Sequence, residues 1–222
     1  MNPSLVGSEM CIRDSLFTDN DMDEVSENIK VSQIEHKPWP EPALKKYNYI
    51  NSEREYLKEF DYVYLFDADI DIVYPVGEEV MDDMVGVLHP WKILEDKSVY
   101  PYEGRKESTA YVSDSDRDKY YAAAFTGGRS KNFLRMAEII SARVSEDEEN
   151  GIIAVWHDES HLNKYFNEYP PRALPPSYMF PEELMGNESY PWKPKIVAVN
   201  KDAFDTSFND EKKQMGQYGN IG

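Results

Sequence analysis

Two groups of side chains in this sequence have the composition of a reactive site. The first is the run Trp156-His157-Asp158-Glu159-Ser160-His161, which crowds imidazoles, carboxylates, a hydroxyl and an indole together. Groups of these types serve as general acids, general bases and nucleophiles. The second is Asp67-Ala68-Asp69, directly after the apolar run Tyr62-Val63-Tyr64-Leu65-Phe66. Two acids at i and i+2 beyond a strand can grip one divalent ion, and hard oxygen ligands favour magnesium or manganese. Acids also end strands simply as turn formers or helix caps, so the pair by itself leaves both uses open.

His157 and His161 lie four apart and would share one face of a helix, the spacing of zinc ligands in metal hydrolases. The glutamate comes one residue late for that pattern, at Glu159, and the sequence names no third ligand. A zinc site and a buried polar cluster therefore both stay open, with His161 the histidine expected to be a buried hydrogen-bonding group. An EF-hand loop built on Asp67, Asp69, Asp71 and Glu78 fails at Ile72, where the turn needs glycine.

The elements that must hold these groups read as alternating strands and helices. Residues 62–66 form a strand expected to be buried on both faces, and the acids stand at its carboxyl end, where open α/β sheets bind ligands. Strands are also expected at 16–19, 31–35, 85–89 and 196–199, with a further strand in 101–112. Residues 152–155 are β-prone and should hand over to a helix on which Leu162, Tyr165, Phe166 and Tyr169 recur at helical spacing. Phe133, Met136, Ala137, Ile140 and Val144 predict an amphipathic helix over 130–144. Further helices are expected at 43–60 and, briefly, at 78–84. Ala122, Ala123 and Ala124, between aromatics and Gly127-Gly128, permit close approach to the backbone or tight core packing. The fold class is α/β, with a mixed, mostly parallel sheet flanked by helices.

Composition narrows the function. The 222 residues suit one ordinary domain, and 41% hydrophobic with 13% aromatic residues makes the chain globular. Acidic residues number 42 against 24 basic, a formal charge of -18, which disfavours nucleic acid as a partner. An anionic ligand is still possible, because charges farther away than a Debye length of about 8 Å are screened. It then requires a metal or local cations. No apolar run is long enough to span a membrane, and the lone Cys11 excludes a disulfide framework. These features fit a soluble, cytoplasmic protein of microbial or viral origin.

Residues 1–15 show no periodicity and no acidic bias, and resemble a translated sequencing adapter. The natural sequence is expected to begin upstream, with a first strand missing from this chain. The catalytic domain is expected to cover 16–204, followed by a polar tail over 205–222.

Taken in order, the segments between Phe17 and Lys201 resemble glycosyltransferase family 6, which contains α-1,3-galactosyl- and N-acetylgalactosaminyltransferases. The resemblance is carried by Phe17-Thr18-Asp19, Trp39, Asp67-Ala68-Asp69, Leu88-His89-Pro90, Tyr102-Glu103 with Arg105, Tyr120-Tyr121, Gly127-Gly128 and the block 154–165. It implies a GT-A fold and transfer of a sugar from a UDP-sugar to a glycan acceptor with retention of configuration. Asp67 and Asp69 match the motif that holds manganese on the donor diphosphate. Glu159 matches the glutamate beneath the anomeric carbon, as nucleophile or as electrostatic stabiliser, and also lies against the acceptor. Trp156 and His89 match acceptor-binding positions. Ala68, Lys46, Ala122, Ala123, Ala124, His157, Asp158 and Lys201 match the donor side. A methyl at Ala124 should crowd a 2-acetamido group, which favours UDP-galactose. Lys45 and Lys46 replace an arginine pair of animal members, keeping charge but losing the bidentate fork. Ser207 stands where a further arginine is expected. The resemblance leaves two alternatives: a zinc hydrolase using His157 and His161, and a catalytically impaired sugar-binding relative.

Overall fold

The computed structural model describes residues 12–22 and 25–200. Most of the segment set apart at the amino terminus, the tail from 205, Lys201 and Ser207 lie outside those residues. Strand β1 (Asp14–Thr18) pairs in parallel with β2 (Ile29–Gln33), from Asp14 opposite Ile29 to Thr18 opposite Gln33. It thus takes in Asp14 and Ser15, since ladder pairing uses only the backbone.

The helix expected over 43–60 is three short pieces: α1 (Glu41–Leu44), α2 (Lys46–Ser52) and α3 (Arg54–Leu57). The breaks fall at Lys45 and Glu53, whose backbones leave the helical region. Both side chains are drawn to distant partners, Lys45 to Glu148 and Glu53 to Lys30 and Ser32 of β2.

A central four-stranded sheet carries the candidate residues. Its members are β3 (Tyr62–Phe66), β5 (Met84–Leu88), β6 (Tyr121–Arg129) and β7 (Arg172–Leu174), in the order β3-β6-β5-β7. Strand β4 (Ile70–Ile72) belongs to a second sheet with β8 (Phe180–Pro181) and β9 (Ile196–Ala198). Among the described residues three strand pairings are parallel and three antiparallel, so the sheets are mixed but not mostly parallel. The reason is β6, which lies between β3 and β5 and runs against both. It is buried from Tyr121 to Gly128, so no polar alternation marks it in the sequence. By contrast β3 is less buried than expected, with Val63 its one buried residue. The region 101–112 contains no strand; it is held by turns and by bonds to its own and neighbouring side chains.

Two helices cover one face of this sheet. Helix α4 (Ser130–Glu149) is longer than its apolar spacing alone indicated, and α5 (His157–Glu168) follows a loop. Phe133, Met136, Ala137, Ile140, Leu162, Tyr165 and Phe166 join Tyr121 and Ala123 in the main core. Phe125, Val85, Val87 and Leu174 belong to a second core on the other side. Close packing explains Gly127, where a Cβ would lie 2.3 Å from a Tyr64 ring carbon and 2.6 Å from the Val63 carbonyl oxygen. No described helix is long and apolar enough to cross a membrane.

Candidate active site

An irregularity in β6 opens the site. Pairing with β5 steps from Val87 opposite Ala122 directly to Gly86 opposite Thr126. Ala123, Ala124 and Phe125 therefore face no residue of β5, and a bulge of this kind re-aims both side chains and backbone groups. It also explains how Ala123 and Phe125, two apart in one strand, enter different cores. One backbone group gains a new partner: the Ala123 N–H donates to Glu159 Oε2 at 3.1 Å. On the other edge of β6 the Ala124 carbonyl accepts from the Asp67 N–H at 3.0 Å, which continues the β3–β6 register beyond Phe66 opposite Phe125. This short segment thus joins the end of β3 to the start of α5.

Asn163, one turn further along α5, reinforces this junction. Its amide oxygen accepts from the Tyr121 N–H at 2.8 Å, and its amide nitrogen donates to the Tyr121 carbonyl at 2.8 Å and the Glu159 carbonyl at 2.9 Å. Removal from water pushes the Glu159 carboxyl up to about 7, against the lowering effect of its Tyr120 and Ala123 neighbours. Tyr120 is buried, and no hydrogen bond of ordinary geometry closes on its hydroxyl among the described residues.

Beside Glu159, Lys46 bridges two acids. Its ammonium lies 2.8 Å from Asp67 Oδ1 and 2.7 Å from Asp158 Oδ2. Burial opposes the lysine charge, yet Asp158 and Asp67 together hold its pKa well above the ordinary value. Burial raises the Asp158 pKa, and Lys46 restrains that rise. Lys45 turns away to Glu148 on α4, so only one of the two lysines serves the cluster. Fully buried Tyr47 follows Lys46, and its hydroxyl also lacks a partner among the described residues.

A cleft of about 1940 Å³ passes over these groups. Lys46, Asp67, Ala68, Asp69, Ala123, Ala124, Trp156, His157, Asp158 and Glu159 all line it. Ala122 is fully buried and is not a lining residue. His89 does not line the cleft either, although Pro90 and Trp91 do. Its ring packs 5.7 Å from Tyr120, and burial lowers its pKa to about 4.

The approach to α5 differs from the expected strand. Residues 152–155 form no ladder, and Trp156 stands at the helix N-terminus half exposed, its N–H donating to Ser160 Oγ at 2.9 Å. His157 has φ 50°, a left-handed conformation that costs energy in a residue with a Cβ. The two histidines do not converge. His157 packs edge-on to Trp39 with ring centroids 5.0 Å apart, whereas His161 is buried with Nε2 3.7 Å from Asp147 Oδ2. Burial lowers the His161 pKa to about 4, against the pull of Asp147. The expectation of a hydrogen-bonded His161 is corrected, because neither ring nitrogen has such a partner among the described residues. No group of three or more His, Cys, Asp or Glu side chains suited to a metal ion occurs among those residues.

Sequence reasoning passed over Asn163 and Tyr47. Both sit at core spacing next to residues singled out for chemistry, and nothing in their type separates them from packing residues.

The architecture and these contacts accompany a sequence match. A model described as Glycosyltransferase family 6 matches residues 23–206. This chain belongs to glycosyltransferase family 6. Among its relatives, Histo-blood group ABO system transferase 2 of Rattus norvegicus is 36% identical over 166 residues, covering 73% of this chain and 50% of the relative. Globoside alpha-1,3-N-acetylgalactosaminyltransferase 1 of Gallus gallus is 31% identical over 179 residues, 79% of this chain and 50% of the relative. O-antigen biosynthesis glycosyltransferase WbnI of Escherichia coli is 30% identical over 210 residues, 93% of this chain and 83% of the relative. The chain thus spans about half the length of the animal relatives and most of the bacterial one.

Proposed function

We propose that this chain is the GT-A-type catalytic domain of a retaining α-1,3-glycosyltransferase that moves galactose from UDP-galactose to a galactose-type glycan. The observation that carries this reading is the Glu159 carboxyl, held by the Ala123 N–H of the β6 bulge and lining one cleft with Asp67 and Asp69. A carboxylate so placed can attack an anomeric carbon or stabilise positive charge on it.

Asp67 and Asp69 fit a divalent ion shared with a diphosphate. Magnesium and manganese accept one or two protein carboxylates and take their remaining ligands from phosphate and water, so a set of only two acids suits them. When bound, the ion, manganese or magnesium, would neutralise charge developing on the departing diphosphate. Lys46 adds a fixed cation beside Asp67. Half-exposed Trp156 offers an apolar ring face to the acceptor sugar, while His89, which does not line the cleft, has only the family resemblance behind an acceptor role.

The test is UDP release by the full chain with manganese, a UDP-sugar and a galactose-terminated acceptor. Turnover that disappears on chelation and returns with manganese is expected, and absence of turnover with any UDP-hexose would sink the proposal. Donor choice is tested at Ala124, which lines the cleft. Ala124→Gly should raise the kcat/KM ratio for UDP-N-acetylgalactosamine over UDP-galactose by tenfold or more, on the order of one methyl group's discrimination. An unchanged ratio removes Ala124 from donor selection.

A further inference from the structure

The loop that presents Trp156 has little packing of its own. Ile153 and Val155 are 49% and 50% exposed, and the chain then enters the strained His157 conformation. Such strain persists only where surrounding contacts determine the backbone. The contacts here come from a segment that does not line the cleft. Glu103 is 2% exposed, and its Oε2 accepts from the Val155 N–H at 2.9 Å. Arg105 grips the same carboxylate with two bonds, Nε to Oε1 at 2.9 Å and Nη2 to Oε2 at 2.7 Å. Its Nη2 also donates to the Ile153 carbonyl at 2.6 Å.

The other end of the loop is fastened to the same region. Asp147 near the end of α4 accepts the Ile152 N–H on its backbone oxygen at 2.8 Å. Its carboxylate accepts from the Thr109 N–H at 2.7 Å and from Ser108 Oγ at 2.5 Å. The segment 103–109 is thus bonded directly to Ile153 and Val155 and, through Asp147, to Ile152. A buried carboxylate in a protein of charge -18 is costly unless it is fully bonded, and Glu103 is.

We propose that Glu103, working with Arg105, is a positioning residue that sets the Trp156 loop and through it the affinity for acceptor. This rests on the acceptor role proposed for Trp156. Charge-assisted bonds to two backbone groups of one short loop fix its path more firmly than its exposed side chains can. The donor-side carboxylates Asp67, Asp158 and Glu159 are held separately, by Lys46 and the β6 bulge, and the His157 ring packs on Trp39. The clamp should therefore act on acceptor and not on donor.

Glu103→Gln and Arg105→Lys are compared with the unaltered chain in three measurements: acceptor KM, donor hydrolysis without acceptor, and amide hydrogen exchange. Glu103→Gln is expected to raise acceptor KM on the order of tenfold, the effect of weakening one charge-assisted bond, with acceptor-free donor hydrolysis unchanged. Exchange at Val155 should quicken on the order of tenfold or more, while core amides of α4 keep their protection. Arg105→Lys, at a half-exposed position, keeps charge and loses the fork, so it should move both quantities the same way by less. If Glu103→Gln does not fold, Arg105→Lys decides. An unchanged acceptor KM, or donor hydrolysis falling in step with transfer, overturns the proposal. If the unaltered chain turns over no UDP-sugar, the proposed function fails, and exchange at Val155 still decides whether the clamp exists.

Discussion

Glu159→Gln is expected to lower transfer by on the order of 10²-fold or more while leaving the chain folded. Glutamine keeps the shape and can still accept the Ala123 N–H on its amide oxygen, but it neither attacks carbon nor carries charge. The same substitution should remove a pH dependence. With the carboxyl pushed up to about 7 by its surroundings, the ionised form is lost as pH falls through that value. In the unaltered chain kcat/KM should therefore drop on the acid side of about pH 7, and Glu159→Gln should lack that limb. Stability moves the other way. A carboxyl with a raised folded pKa binds more protons folded than unfolded, so its contribution diminishes as pH rises from the unfolded value towards about 7. Glutamine mimics the neutral form, so the inactive variant should resist denaturant better than the unaltered chain at pH 8. Undiminished transfer by a folded Glu159→Gln would remove the residue from the chemistry.

The sequence displayed the parts of this site that carry strong local patterns. Strand β3 was legible because an unbroken apolar, β-prone run meets two acids, and α4 because apolar residues recur at helical spacing. Helix α5 and its polar start were legible for the same reason. Strand β6 was not, because a strand buried on both faces by small residues has no alternation, and a bulge is a matter of pairing register. Ile152-Ile153-Ala154-Val155 misled in the opposite sense. Its β-branched residues suit a strand, but the backbone is captured by Glu103, Arg105 and Asp147, and tertiary bonds override local propensity. The residue types of the site could be read along the chain. The bonds that aim them join Ala123 to Glu159, Tyr121 to Asn163 and Lys46 to both Asp67 and Asp158, across distances that periodicity does not register.

Lys46→Met carries the largest expected cost in stability. The substitution keeps much of the side-chain volume and removes the charge that Asp67 and Asp158 share. Breaking a buried ion pair from one side costs about 3–5 kcal/mol, because the partner charge remains in a low-dielectric site. Asp158 bears most of this, being more deeply buried than Asp67. The loss should depend on pH in a definite sense. Burial already raises the Asp158 pKa with Lys46 present, and without the lysine it must rise further. The folded variant then binds more protons than the unfolded chain over a wider range above the ordinary aspartate value. Its stability should recover as pH falls through that range and worsen as pH rises. The unaltered chain should depend on pH less steeply there, because the lysine keeps Asp158 ionised at less cost. Denaturant titrations of both proteins across mildly acid to neutral pH read this directly. A loss in Lys46→Met that stays constant with pH would mean that packing, and not the bridge between Asp67 and Asp158, is what Lys46 supplies.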